Sequence, residues 1–493
     1  MSGESLQNDS VRYLSPCRGT GLWIWTSGTW RYAFVCGVDA TFEQRGLAMV
    51  THAHLTMTLI YVVRRRIDRL DYFPRTVFKL YMSALNFDIW SHVFQRIVDD
   101  NPSSLTTIRS VDRTWFHIAG QIPQLWSRLE FGRTAHFLDC EYAHLYLQKS
   151  GGLPIDISIT LPSSYDAEKY RPCFSLLRNE VGRIKSLTTV VPFHQDWQNV
   201  ISDIGKGLPA PILERLTLRV RGCDPHMTEF STVLPTAFTP SPKLTHLELP
   251  GWPMPEEPFP QLSSILSLSF DTPFHGMDVP ELFPIIQNVA PRIEHFKYKS
   301  YDMGSDITPS FSSITILPYL RTVSVTTPGT GLQVLENFDA PCLTSVTLDG
   351  RRDFPIDRDR DPDEYTLRSL TNSIYLLSTR SPCIRRLELI YHYFQRPTDD
   401  YKLLLSGQGF PELEELIMAS MTIPNAAFME SAETGTSTLK ILDLRNCKIS
   451  ANAITCFGRG SSRNKYFLLR IQNCPGINLR DLESLSEVVR VEG

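Results

Sequence analysis

The sequence predicts an α/β solenoid with a parallel inner sheet, preceded by a small unit of three short helices. Two observations lead there. A phrase of the form Pro-x-Leu-x-x-Leu-x-Leu recurs along the later part of the 493-residue chain. Ahead of it, a short stretch carries three apolar faces at helical spacing.

The repeats come first, because a recurring period outranks local patterns. Pro211 leads Leu213, Leu216 and Leu218; Pro242 leads Leu244, Leu247 and Leu249; Pro291 leads Ile293, Phe296 and Tyr298. Pro318, Pro341, Pro382 and Pro411 open further copies, the last with Leu413, Leu416 and Met418. The prolines then fade and the apolar series continues: Leu439, Leu442 and Leu444 lead to Asn446-Cys447, and Tyr466, Leu469 and Ile471 lead to Asn473-Cys474. A weaker copy at Pro260 has Leu262 and Ile265 and is broken by Ser267, and an earlier one reads Ile184, Leu187 and Thr189. The last two apolar positions are two apart, so both face one side of a short strand. The first packs the corner that enters it. A preceding proline ends a helix and fixes an extended entry. Helical patterns over Val279–Ala290 and Leu367–Thr379 precede two of these prolines. Strand, loop and helix in repetition make a solenoid whose strands form a parallel sheet. Leu153–Ile159 alternates apolar and polar residues and is read as an additional strand. Residues 351–364 interrupt one repeat with alternating charges and read as a solvated loop.

The helical stretch runs from Leu85 to Phe131. Asn86 caps a helix to about Val98, with Ile89, Val93, Phe94 and Ile97 on one face. Asp99-Asp-Asn-Pro102 stops it. Ser103 or Ser104 restarts a helix through Leu105, Ile108 and Val111, and Arg113–Ala119 forms a third with Trp115 and Ile118 inward. Pro123, Leu125 and Trp126 close the unit. So small a unit leans on a neighbour or partner to bury enough surface. Residues 1–82 mix Gly, Ser, Thr and aromatics without a sustained period and receive no fold; poor order and an added extension are the two readings. The domain reading is therefore 1–82 unassigned, 83–131 helical and 132–493 solenoid.

These residues resemble a known family. Leu85-Asn-Phe-Asp-Ile-Trp-Ser-His-Val-Phe94 resembles the opening phrase of the F-box, Val111-Asp-Arg-Thr-Trp115 its Val-Cys-Arg-x-Trp, and Pro123-Gln-Leu-Trp126 its closing Pro-x-Leu-Trp. Leu145–Ile155 is similar to a phrase of F-box proteins of mushroom-forming fungi, in which irregular leucine-rich repeats follow. Two positions depart from the pattern: Asn86 stands for the usual proline and Asp112 for the usual cysteine. A carboxylate there needs exposure or a partner, such as Arg109 or Arg113. The resemblance implies a leucine-rich-repeat horseshoe behind an F-box. It implies a non-catalytic subunit of an SCF-type ubiquitin ligase, docking a Skp-type adaptor and through it a cullin. The adaptor-facing role falls on Leu85, Ile89, Val93, Phe94, Ile97, Leu105, Ile108, Val111 and Trp115, each of which also fits a core role. A target protein would meet the outward strand positions, among them Arg215, Thr217, His246, Glu248, Arg385, Glu388, Glu415 and Asp443. The alternative is a repeat scaffold in which a degenerate F-box caps the solenoid.

Composition excludes other classes. A net charge of −4 argues against nucleic acid as partner, since phosphate-tracking surfaces need a basic excess. Apolar residues at 42% and charged residues at 21% read as a soluble globular chain. The ten cysteines are scattered without a C-x-x-C pair, which fits reduced thiols in cytoplasm or nucleus. The start lacks a secretory signal. Leu47–Val63, followed by three arginines, is too short and too interrupted by His52, His54 and threonines to be read as a membrane span. His52-x-His54 lacks companions for a metal, and no cofactor is expected. No phosphate-loop, nucleophile-elbow or H-E-x-x-H pattern occurs, so no catalytic residue is assigned. Gly458–Arg463 reads as a loop between repeats. Cys447 and Cys474 read as inward residues that satisfy loop backbone groups.

Overall fold

A computed structural model of the protein describes residues 21–26, 29–34, 87–111, 113–132, 140–163, 167–221, 234–250, 260–272, 285–300, 314–327, 332–350, 370–392, 394–434, 438–461, 467–478, 480–481, 483 and 490–492. Two compact units divide the chain, Met1–Ile97 and Val98–Gly493. In the first, β1 (Gly21–Thr26) and β2 (Thr29–Phe34) pair antiparallel, Gly21 opposite Phe34 and Thr26 opposite Thr29. Leu47–Val63, Leu85 and Asn86 lie outside the described residues. Helix α1 (Phe87–Asp100) begins in this unit and ends in the next. Its Trp90, Val93, Phe94 and Ile97 are buried, at the three- and four-residue spacing of one helix face.

In the second unit, Asn101 turns the chain. Its side chain accepts from the Ser103 backbone at 3.3 Å and its carbonyl from Ser104 at 3.0 Å. Helices α2 (Ser104–Val111) and α3 (Arg113–Gly120) follow, close to the expected bounds. They bury Leu105, Ile108, Trp115 and Ala119, while Ile118 is half-buried. A 3₁₀ turn over Pro123–Trp126 carries Trp126 inward. The Trp126 indole N–H donates to the Ala119 carbonyl at 2.8 Å. One face of its ring takes the Arg109 guanidinium at 4.9 Å.

A parallel sheet of 14 strands occupies the rest, its order following the chain. The strands are β3 (Arg128–Phe131), β4 (Ile155–Thr160), β5 (Ile184–Val191), β6 (Arg215–Val220), β7 (His246–Leu249), β8 (Ser267–Thr272), β9 (His295–Ser300), β11 (Thr322–Thr326), β13 (Ser345–Asp349), β14 (Arg386–Ile390), β15 (Glu415–Ala419), β16 (Ile441–Arg445), β17 (Leu468–Gln472) and β18 (Arg490–Glu492). A separate parallel pair joins β10 (Thr315–Ile316) to β12 (Phe338–Asp339). Helices α4 (Cys140–Lys149), α5 (Ala167–Asn179), α6 (His194–Gly205), α7 (Gln333–Glu336), α8 (Thr371–Arg380), α9 (Pro397–Leu405), α10 (Asn425–Thr434) and α11 (Ala451–Ser461) alternate with the strands. The architecture is an α/β solenoid.

The repeating phrase explains it. Leu216, Leu247, Leu268, Phe296, Val323, Val346, Leu387, Leu416, Leu442 and Leu469 stand in one register row, all buried. The row two residues further on is buried too. Each fully buried Leu, Val or Phe contributes on the order of 1.5–3 kcal/mol. Three details differ from the sequence reading. The sheet starts at Arg128–Phe131, inside the segment read as purely helical, with Leu129 and Phe131 inward. The copy at Pro260 is not broken: Pro260–Ser264 is a 3₁₀ turn, and Ile265, Leu268 and Phe270 are the apolar triplet, one frame later, which leaves Ser267 on the outer face. The expected loop Gly458–Arg463 is helical through Ser461, closing α11.

The corners repeat as well. Tyr391, Ser420, Asn446 and Asn473 each follow the last residue of β14, β15, β16 or β17, and each has a positive φ between 52° and 57°. Cys447 lies just beyond its corner, buried, and its thiol donates to the Met418 carbonyl at 3.2 Å; Cys474 sits likewise toward the Leu444 carbonyl at 3.5 Å.

Candidate functional site

Side chains alternate across a strand, so the rows between the apolar ones form the outer face of the sheet. One row runs Arg128, Asp156, Ser186, Arg215, His246, Ser267, His295, Thr322, Ser345, Arg386, Glu415. The next runs Glu130, Ser158, Thr188, Thr217, Glu248, Ser269, Lys297, Ser324, Thr347, Glu388, Ile417, Asp443, Arg470. Over β8 to β13 the face carries short hydroxyls with His295 and Lys297 exposed among them. His295 Nδ1 lies 2.8 Å from the Thr322 hydroxyl. From β14 to β16 the face becomes a network of ion pairs. Arg386 sits 2.8 Å from a Glu415 oxygen and 3.7 Å from a Glu388 oxygen. The Thr347 hydroxyl donates to Glu388 at 3.4 Å. Arg445 grips both oxygens of Asp443, at 3.0 and 2.7 Å.

The expected target-facing residues separate into three groups. Arg215 is exposed, and His246, Glu248, Glu388 and Glu415 are half-buried on the face. The His246 imidazole titrates below its ordinary range, because burial and then the charges of Arg215 and His295 disfavour its cation. Arg385 stands one residue before β14, at the corner, exposed and 3.3 Å from Glu412. Thr217 and Asp443 are buried. Asp443 is not a free surface carboxylate, because Arg445, two residues on and hence on the same side of the strand, covers it. Arg386, Lys297 and Arg445 are among the charged face residues that the sequence reading passed over, as are Arg128, Glu130, Asp156 and Arg470. Each of the first three stands one residue from an inward position, Leu387, Phe296 or Leu444, and therefore on the opposite face.

The expected adaptor-facing residues lie mostly inward. Val93, Phe94, Ile97, Leu105, Ile108 and Trp115 are buried, Ile89 is half-buried, and Leu85 lies outside the described residues. Val111 is 46% exposed, and so is its neighbour in the second unit Phe116, at 44%. Arg109 lies 4.8 Å over the Phe116 ring, attracted by the electron-rich face. Asp112 falls outside the described residues.

Among the described residues no group of three or more His, Cys, Asp or Glu is placed to hold a metal ion, and no helix is long and apolar enough to cross a membrane. His52 and His54 lie outside the described residues, as does the charged segment 351–364.

No family model and no curated protein matches the chain. Among solved structures, it is similar to a Bacteroides fragilis protein known from a crystal structure, with 11% identity and a TM-score of 0.28. The match covers 47% of this chain and 66% of that one, so the chain spans just under two thirds of its length. A likeness of that size carries no argument about function.

Proposed function

We propose that the chain is the substrate-recognition subunit of an SCF-type ubiquitin ligase, with an F-box that docks a Skp-type adaptor and irregular leucine-rich repeats that hold a target protein. One observation carries the reading. The described residues of the three F-box-like phrases, Phe87–Phe94, Val111 with Arg113–Trp115, and Pro123–Trp126, lie in short helices and a tryptophan-bearing turn, and a parallel sheet comes later in the chain; this supports the reading. In this reading the chain does no chemistry. It holds target lysines near the transferring enzyme and so raises their effective concentration. The apolar side chains of the second unit offered to the adaptor are Val111 and Phe116. The inward residues hold the helices that present them.

Co-purification of the full chain with a Skp-type adaptor tests this. Retention is expected, with a drop of at least tenfold on combining Val111→Glu and Phe116→Ser. Absence of binding where a standard F-box binds sinks the reading. The burial of Phe94, Leu105, Ile108 and Trp115 favours a second reading, in which the helices cap the solenoid. Replacing Asn86 by proline and Asp112 by cysteine separates the two: gained adaptor binding speaks for docking, and no gain speaks for the cap.

A further inference from the structure

The two sulfurs of Cys140 and Cys173 lie 2.8 Å apart. Cys140 is the first residue of α4 and half-buried; Cys173 lies within α5 and is 2% exposed. The pair sits on the helix layer of the solenoid, away from the outer sheet face. A disulfide bond is about 2.05 Å long, so the sulfurs need close by less than an ångström to bond. Of the two residues, Cys140 is the more exposed.

We propose that Cys140 and Cys173 form a reversible redox modification site that hydrogen peroxide converts to a disulfide. Cys140 is assigned as the attacking sulfur, being the more exposed residue of the pair. Its sulfur attacks the peroxide, the O–O bond breaks, and Cys140 becomes a sulfenic acid with release of water. The Cys173 sulfur then displaces the hydroxyl as a second water and forms the S–S bond. Two thiols lose two electrons and two protons, and one hydrogen peroxide becomes two waters. A thiol reductant restores both cysteines by exchange. The product ties α4 to α5 across 33 residues of chain and locks the first turns of the solenoid. The inference is independent of any ligase role.

The experiment treats the reduced full chain with hydrogen peroxide, denatures it in an alkylating reagent and maps the peptides by mass spectrometry. The expected result is a peptide joining Cys140 to Cys173, lighter than the two thiol peptides by two hydrogens and lost on treatment with dithiothreitol. Cys140→Ser and Cys173→Ser each abolish it. The proposal is overturned if both cysteines are recovered alkylated, or if Cys140 is recovered as sulfinic acid beside an alkylated Cys173. It is overturned equally if the only link found joins Cys447 to Cys474. The wild-type map decides the matter by itself should either serine variant fail to fold.

Discussion

Thr189 occupies an inward strand position where its register partners in the other strands are Leu, Ile, Val, Met, Phe or Tyr, and it is fully buried. Its hydroxyl meets no hydrogen-bond partner among the described residues. A buried hydroxyl left unpaired costs roughly 1–3 kcal/mol. Thr189→Val keeps the shape and removes that cost, so the urea midpoint is expected to rise, by about 1 kcal/mol at unchanged slope. His392 is also buried. Burial pushes its imidazole from 6.5 down to about 4, against the pull of Asp349 and the Leu348 carbonyl. Above pH 6.5 neither the folded nor the unfolded chain protonates it, so it adds no pH dependence there. Between 6.5 and 4 only the unfolded chain takes up the proton. Stability therefore falls as pH falls through that window, by at most about 1.4 kcal/mol per pH unit. His392→Gln is expected to flatten the decline between pH 7 and pH 5 in urea titrations; an unchanged profile would show that the imidazole is reached by water.

At the scale of elements, the strand-to-loop corner recurs with an interchangeable part. Asn446 and Asn473 suit a left-handed corner, because a short polar side chain tolerates positive φ. Tyr391 holds the same place at φ 57° with a bulky side chain that is 47% exposed. It carries strain on the order of 1 kcal/mol. Tyr391→Asn should therefore stabilise the protein by up to about 1 kcal/mol, read as a higher melting temperature. The same scale shows what the sequence discloses. The Pro-x-Leu-x-x-Leu-x-Leu phrase was legible because inward positions obey a strict alternation, and its strands appear where it falls. Arg128–Phe131 was not, because four residues directly behind Trp126 look like the tail of a helical unit until a neighbouring strand pairs with them. Ser267 read as a break because a proline three residues too early set the wrong frame. Asp443 read as open because alternation tells which face a side chain is on, and says nothing of what lies over it. Asp-x-Arg along a strand is the pattern that would have revealed its partner.

At the scale of the whole sheet, each strand touches only its neighbours in the order, so cohesion is a chain of local contacts. Leu187 on β5 and Leu444 on β16 are fully buried and lie nine places apart in the strand order. At the usual strand spacing that is on the order of 40 Å. Each change to alanine is expected to cost roughly 2–5 kcal/mol. The double variant should equal the sum within about 0.5 kcal/mol. Coupling larger than that would mean the solenoid unfolds with a shared nucleus at both ends. The uniform strand direction has one more consequence. Connections out of the strands vary widely in length: five residues (420–424) after β15, five (446–450) after β16, and twenty-one (350–370) after β13. Returns into the strands vary less, with five residues (381–385) before β14 and six (435–440) before β16. Because every strand points the same way, each added stretch emerges along a single margin of the sheet. Insertions there enlarge one fringe without altering the pitch of the repeats, which lets such a chain acquire new recognition surface while its interior stays as it was.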